Sequence, residues 1–428
     1  MKFKYFILFV AVSLSAGKIY PQALNNIIDE ATSLSPEIKM LETKKETAIS
    51  RIAQDSNLPD PVVTLGLLNL PVNSFAFDRE AMTGKAIGIS QQFPFPGKLG
   101  TIESLKEYDV KIIEQEIDET ENRLRQKIIN EYAGLVYSTK LMEILKQKKE
   151  LLKVLSNVVG KNYSVSRSSQ QDIFKLELER TALENSITEQ QSVIEIKKAV
   201  LNNYLFRDSG SGFPVDKEEI VIGGLTFLDS VKSAAKENRP LLKQFALSKE
   251  KARKQEELAG YQFYPDFNVG VQYSQRDKIA STNTALNDVV TFKLGFNLPI
   301  NYGGKKTAGT EGAKSLRLFF EQQYLKAMQL IDISIESSLL NMNSLKDRIK
   351  LLNDGLIPQA QKSYESSLAN YQTGRTEFIN VMESVNKLLD LQKEEYKMKL
   401  DLINEITNVE FQTGIKLIGT EIEVFKEN

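Results

Sequence analysis

The sequence predicts a mainly α-helical chain with a minor β component, built as a duplicated helix-strand-strand-helix-turn-helix unit. Three observations carry that prediction. Short stretches of period-two alternation are handed over, within about five residues, to helical stretches of roughly 60 residues, or ~90 Å at 1.5 Å per residue. The whole pattern occurs twice at a nearly fixed offset. The long helices carry heptad seams, as expected of long coiled-coil hairpins.

The clearest handover is residues 91–100, QQFPFPGKLG. Before it, Ile87, Ile89 and Phe93 alternate with Gly88, Ser90 and Gln92, the mark of a half-buried strand. Pro94 and Pro96 can neither donate to a ladder nor continue one, and Gly97 follows them. From about Thr101 to Gly160 there is no proline and the apolar residues recur at helical spacing.

The duplication is explicit. Pro36 and Pro240 open equivalent helical stretches, and Pro61 and Pro265 open equivalent strands, with one interval for both (240 − 36 = 204, 265 − 61 = 204). Val63, Leu65 and Leu67 match Phe267, Val269 and Val271 on one face, while Thr64 and Gly66 match Asn268 and Gly270 on the other. A second strand follows in each half after a long loop. In the second half it runs through Phe292, Leu294, Phe296 and Leu298 to another handover at Pro299, Gly303 and Gly304. Each long helix then ends at a polar turn, Tyr163 to Asp172 and Tyr371 to Asn380, and returns. Residues 24–205 are thus the first repeat, 206–227 a linker, 228–411 the second repeat and 412–428 a tail. The expected seams are Ile128, Leu135, Met142, Leu145, Leu152 and Val159 in the first half, and Ile335, Met342, Ile349 and Leu356 in the second.

Residues 1–23 read as a secretory signal peptide, with Lys2 and Lys4 ahead of an apolar run and then small residues; cleavage is open between Ala16, Gly17 and Ala23. Nothing later reaches the ~18 consecutive apolar residues of a membrane helix. Each expected strand is about long enough to cross a bilayer when tilted, with one apolar face and one small or polar face. Four strands cannot close a barrel, since the smallest closed barrels have about eight, so several chains would have to pool theirs. The other reading left open is a soluble exported coiled-coil scaffold or adaptor.

Composition limits the chemistry. The chain has no histidine, cysteine or tryptophan. That removes imidazole bases, thiolate nucleophiles, thiolate metal sites, disulfides and lipid attachment at an N-terminal cysteine. The net charge of −1 gives no footprint for nucleic acid. Residues 303–307, GGKKT, lack the spacing of a phosphate-binding loop. No enzyme activity and no cofactor are expected.

Taken together, LPDPVVTLGLLN, SQQFPFPGKLG, the duplicated architecture and the two Tyr-x-x-(Gly/Ser)-Arg turns resemble the TolC-like outer-membrane efflux proteins, in particular their CusC/CzcC-type branch. The resemblance implies a homotrimer whose twelve strands form an outer-membrane β-barrel continued by a periplasmic α-barrel. It implies a passive exit duct of a tripartite efflux or type I-like secretion system, docked to a periplasmic adaptor and an inner-membrane pump. It puts Tyr163, Arg167, Tyr371, Gly374 and Arg375 at adaptor-contacting tips. It also puts Glu383, Asn380 and Asp172 at a periplasmic gate, where relatives carry acidic pairs and Asn380 departs from the pattern. Pro94, Pro96, Gly97, Pro299, Gly303 and Gly304 become strand-to-helix junctions. The branch suggests metal cations as cargo, yet this composition offers no soft or imidazole ligand set for them, and drugs or other small molecules fit as well.

Overall fold

The computed structural model describes residues 22–166, 168–213 and 228–418. The expected signal peptide, Arg167, most of the linker and the end of the tail lie outside the described residues. Nine helices are named here among the described residues: α1 (Gln22–Leu34), α2 (Pro36–Ser56), α3 (Lys98–Ser164), α4 (Gln170–Tyr204), α5 (Leu228–Asn238), α6 (Pro240–Gly260), α7 (Lys305–Leu351), α8 (Ile357–Gln372) and α9 (Phe378–Thr413). The strands are β1 (Val62–Leu68), β2 (Gly84–Phe93), β3 (Phe267–Gln275) and β4 (Val289–Phe296). The order is helix, helix, strand, strand, long helix and return helix, twice over. Prolines sit where a helix tolerates them: Pro36 and Pro240 each occupy a first turn, where the missing N–H would have no partner in any case.

The chain divides into two compact units. One comprises residues 36–122 and 232–333; the other comprises 1–35, 123–231 and 334–428. In the first unit the strands form one antiparallel sheet in the order β1-β2-β3-β4. The register pairs Val63 with Ile89, Ile89 with Val271 and Val271 with Phe292. Within this sheet β2 and β3 are paired on both sides, and β1 and β4 are edges.

The same unit buries Arg239, 2% exposed, at the turn between α5 and α6. Its guanidinium donates to Glu119 of α3 at 2.7 Å. Burial pulls the Arg239 guanidinium down to about 10 and Glu119 acts against that, so Arg239 is charged at neutral pH.

The second unit is a packing of helical hairpins. Leu145, Leu152, Leu155 and Val159 of α3 meet Leu176 and Leu183 of α4, Tyr364 and Tyr371 of α8, and Phe378, Val381, Val385 and Leu388 of α9. Each such side chain contributes about 1.5–3 kcal/mol by leaving water. The first-half seam is buried throughout, from Ile128 to Val159. The second-half seam departs from the expected sevens. Ile335 and Met342 are buried, but Leu356 is 47% exposed, and Leu352 and Ala360 are buried in its place. The cause is a π-helical turn at Leu352–Leu356, followed by Pro358 at the start of α8. Its wider turn takes up extra backbone and rotates the later residues off the heptad.

Near the end of α9, the buried Glu410 accepts hydrogen bonds from Arg125 and from the N–H groups of Leu417 and Ile418, at 2.8 and 2.9 Å for the last two. Arg125 also donates to the Ile418 carbonyl at 2.7 Å. The ion pair and three backbone groups together fold residues 415–418 back after Gly414, whose φ of 71° ends the helix.

Candidate channel surfaces: strand faces, junctions and hairpin tips

The two faces of the sheet differ in kind. On one, Leu65 is 76% exposed, Phe292 80% and Leu294 74%, and Val63, Ile87, Ile89, Val269 and Val271 stand beside them. That is a continuous apolar surface that nothing in the chain covers among the described residues. The register places Thr64, Gly88, Gln272 and Thr291 in one row of the opposite face, and Val62, Ser90, Gly270 and Lys293 in the next. Small residues dominate this face, which carries a shallow concavity of about 400 Å³. An apolar face backed by a small, polar one is the pattern of a strand between lipid and water. Among the described residues, no helix is long and apolar enough to cross a membrane.

The first junction is packed into its surroundings. Gly97 has φ 91°, a conformation open to glycine and poorly to other residues. A methyl group added there would meet the Tyr261 hydroxyl at 2.6 Å. Phe95 stacks on Tyr264 with ring centroids 4.6 Å apart. Asp266, just ahead of β3, accepts from the Phe95 N–H at 2.8 Å and from the Lys98 ammonium at 2.9 Å. Burial opposes ionisation of Asp266, but Lys98 and the Phe95 N–H outweigh it and hold its carboxyl below the usual range. In the sequence, only its place beside Pro265 at a strand opening marks Asp266.

The second junction is held mainly by its own atoms, with the Lys306 ammonium 5.9 Å from the centre of the Phe263 ring. Gly303 and Gly304 have φ of 56° and 76°, and a methyl group on either would meet nothing within 4 Å. Asn301 accepts from the Lys306 N–H and donates to the Thr307 hydroxyl, both at 2.8 Å. Tyr302 is 76% exposed.

The hairpin tips are capped in different ways. Before α4, Ser169 accepts from the Asp172 N–H while the Asp172 carboxylate accepts from the Ser169 N–H, a reciprocal cap. The Ser168 hydroxyl also donates to Asp172, at 2.9 Å, and lies 3.2 Å from the Tyr371 hydroxyl. Asp172 is thus engaged in building the tip. At the second tip Gly374 has φ 74°, and the Gly374 and Arg375 N–H groups bond to the carbonyls of Tyr371 and Asn370, closing α8 with a Schellman turn. Tyr371 itself is buried against Phe378, with centroids 5.7 Å apart. Tyr163, Gly374, Arg375, Asn380 and Glu383 are exposed. Asn380 donates to the Thr376 hydroxyl at 2.9 Å. No group of three or more acidic residues able to hold a metal ion is found among the described residues.

Residues 231–414 match the family model "Outer membrane efflux protein". No curated protein matches the chain. Among solved structures, VceC of Vibrio cholerae superposes with TM-score 0.76 at 15% identity, covering 92% of this chain and 97% of that one. A membrane protein from Pseudomonas aeruginosa gives TM-score 0.78 at 12% identity, with 92% and 91% covered. CusC gives 0.74 at 15%, with 92% of each chain covered. The family model falls on the second repeat, and the fold similarity extends over both. Over residues 231–414 the chain matches the outer membrane efflux protein family, and over both repeats its fold is similar to that of these solved outer-membrane proteins.

Proposed function

We propose that this chain is the outer-membrane exit duct of a tripartite efflux or type I-like secretion system. In this reading it is a passive homotrimer that pools twelve strands into a barrel, and a periplasmic adaptor and an inner-membrane pump dock to it. The observation that carries the reading is the sheet: an uncovered apolar face, a small polar face and two unpaired edges in one protomer. Such a sheet enters lipid only if β4 of one copy pairs with β1 of another. The exposed tip residues Tyr163, Gly374 and Arg375, with Arg167, form the adaptor contact, and buried Tyr371 serves as the post that sets their spacing. Glu383 and Asn380 face the narrow periplasmic mouth, and Asp172 shapes it through its cap. Membership of the CusC/CzcC-type branch rests on the sequence motifs, since CusC and VceC share the same 15% identity with this chain.

Purified protein is expected to be a detergent-dependent trimer that conducts ions across a planar bilayer. A monomer stable without detergent overturns the reading.

A further inference from the structure

On the polar face of the sheet only one residue of the four strands is charged. Every other residue there is small, apolar or an uncharged hydrogen-bonding group: Thr64, Gly88, Ser90, Asn268 and Gln272 among them. The exception is Lys293, at the middle of β4. Its ammonium donates to the Gln272 side-chain oxygen at 2.6 Å and meets no carboxylate there. The residue opposite it on β3, Gly270, and the next on its own face of β4, Gly295, are glycines, while Gln272 and Thr291 stand on its other side. A methyl group on Gly270 would touch the Lys293 Cβ at 3.8 Å. Lys293 is exposed. The opposite, apolar face has its own lysine, Lys85, at the start of β2, and that one is paired with Asp277 at 3.1 Å. The paired cation stands on the apolar face. The carboxylate-free one stands on the face that would line water.

We propose that Lys293 sets the charge preference of the barrel, making its membrane stretch favour small anionic solutes over cations. The proposal rests on the pore reading above. Closing the barrel repeats Lys293 around one water-filled bore, and the repeated charges add at its centre with no counter-charge in the same strand rows. Their influence reaches about a Debye length, ~10 Å at 0.1 M salt and ~3 Å at 1 M. Screened charges at such a distance shift ion ratios by a modest factor, roughly threefold.

The test is the reversal potential of single channels in a potassium chloride gradient at low salt, for the wild type, Lys293→Arg, Lys293→Gln and Lys293→Glu. The chloride-to-potassium permeability ratio is expected to stay within experimental scatter for Arg, fall roughly threefold for Gln, and fall again by a similar factor for Glu. All differences should shrink in 1 M salt, which a merely structural role of Lys293 would not produce. If Lys293→Glu does not assemble, Gln against Arg carries the comparison. Equal ratios across conducting variants overturn the proposal and leave the pore reading intact. A wild type that forms no channel overturns both.

Discussion

The two strand-to-helix junctions descend from one repeated unit and solve the same problem by different means. At the first, Gly97, Phe95, Lys98 and Asp266 are locked together with Tyr261 and Tyr264 from the other half of the chain. At the second, Asn301 ties the backbone to itself and the glycines stand in open space. The difference follows from strand order. The first junction leaves β2, a central strand flanked by a neighbour on each side. The second leaves β4, an edge with a neighbour on one side only within the protomer. Where a chain leaves its contacts open tells as much about its assembly as where it fills them.

Substitution at the glycines should widen this contrast most. Gly97→Ala combines an unfavourable positive φ with a clash against Tyr261, and is expected to cost about 3 kcal/mol. Gly303→Ala has the strain alone and should cost about 1 kcal/mol. Thermal dissociation of the detergent-solubilised oligomer measures both; equal losses would remove the distinction between packed and open junctions.

Next in size is Asp266→Asn, expected to cost about 2 kcal/mol because a charge-assisted clasp on Lys98 and the Phe95 N–H is weakened. The same clasp gives a pH signature. The folded carboxyl of Asp266 lies below its ordinary value near 3.8, so its stabilisation is complete above that value and is lost as pH falls through the folded pKa. Melting curves from pH 5 to pH 2 should therefore fall more steeply in the wild type than in Asp266→Asn.

An effect as small as that of Gly303→Ala is expected of Asn301→Ala. It removes a single end cap of α7 and should cost about 1 kcal/mol. A larger loss in the oligomer than in the dissociated chain would show that a neighbour packs on this junction.

Much of this was legible in the chain. The alternation at Val63, Leu65 and Leu67 named the outward face, and the interval between Pro61 and Pro265 named its duplicate, because period and spacing are local properties. The π-turn at Leu352–Leu356 was not legible: Ile335, Met342, Ile349 and Leu356 keep a perfect seven-residue spacing, and only Pro358 hinted that the helix is interrupted. At the tips, the Tyr-x-x-(Gly/Ser)-Arg pattern located the turns correctly but could not assign burial, so Tyr371 looked like the exposed Tyr163. The engagement of Asp172 could have been read from Ser169 three residues before it, a capping spacing. The ion pair of Arg125 with Glu410 had no local sign at all, since each is one charge among many on a charged helix.

The open edges also constrain how the protein is made. In the trimer proposed above, until β4 meets a β1, each chain carries two rows of unpaired N–H and C=O groups, which are templates for wrong partners. In water those groups are satisfied; in hydrocarbon they are not. For a sheet destined for lipid, pairing and insertion must therefore be a single step, with the solvent change acting as its proofreader.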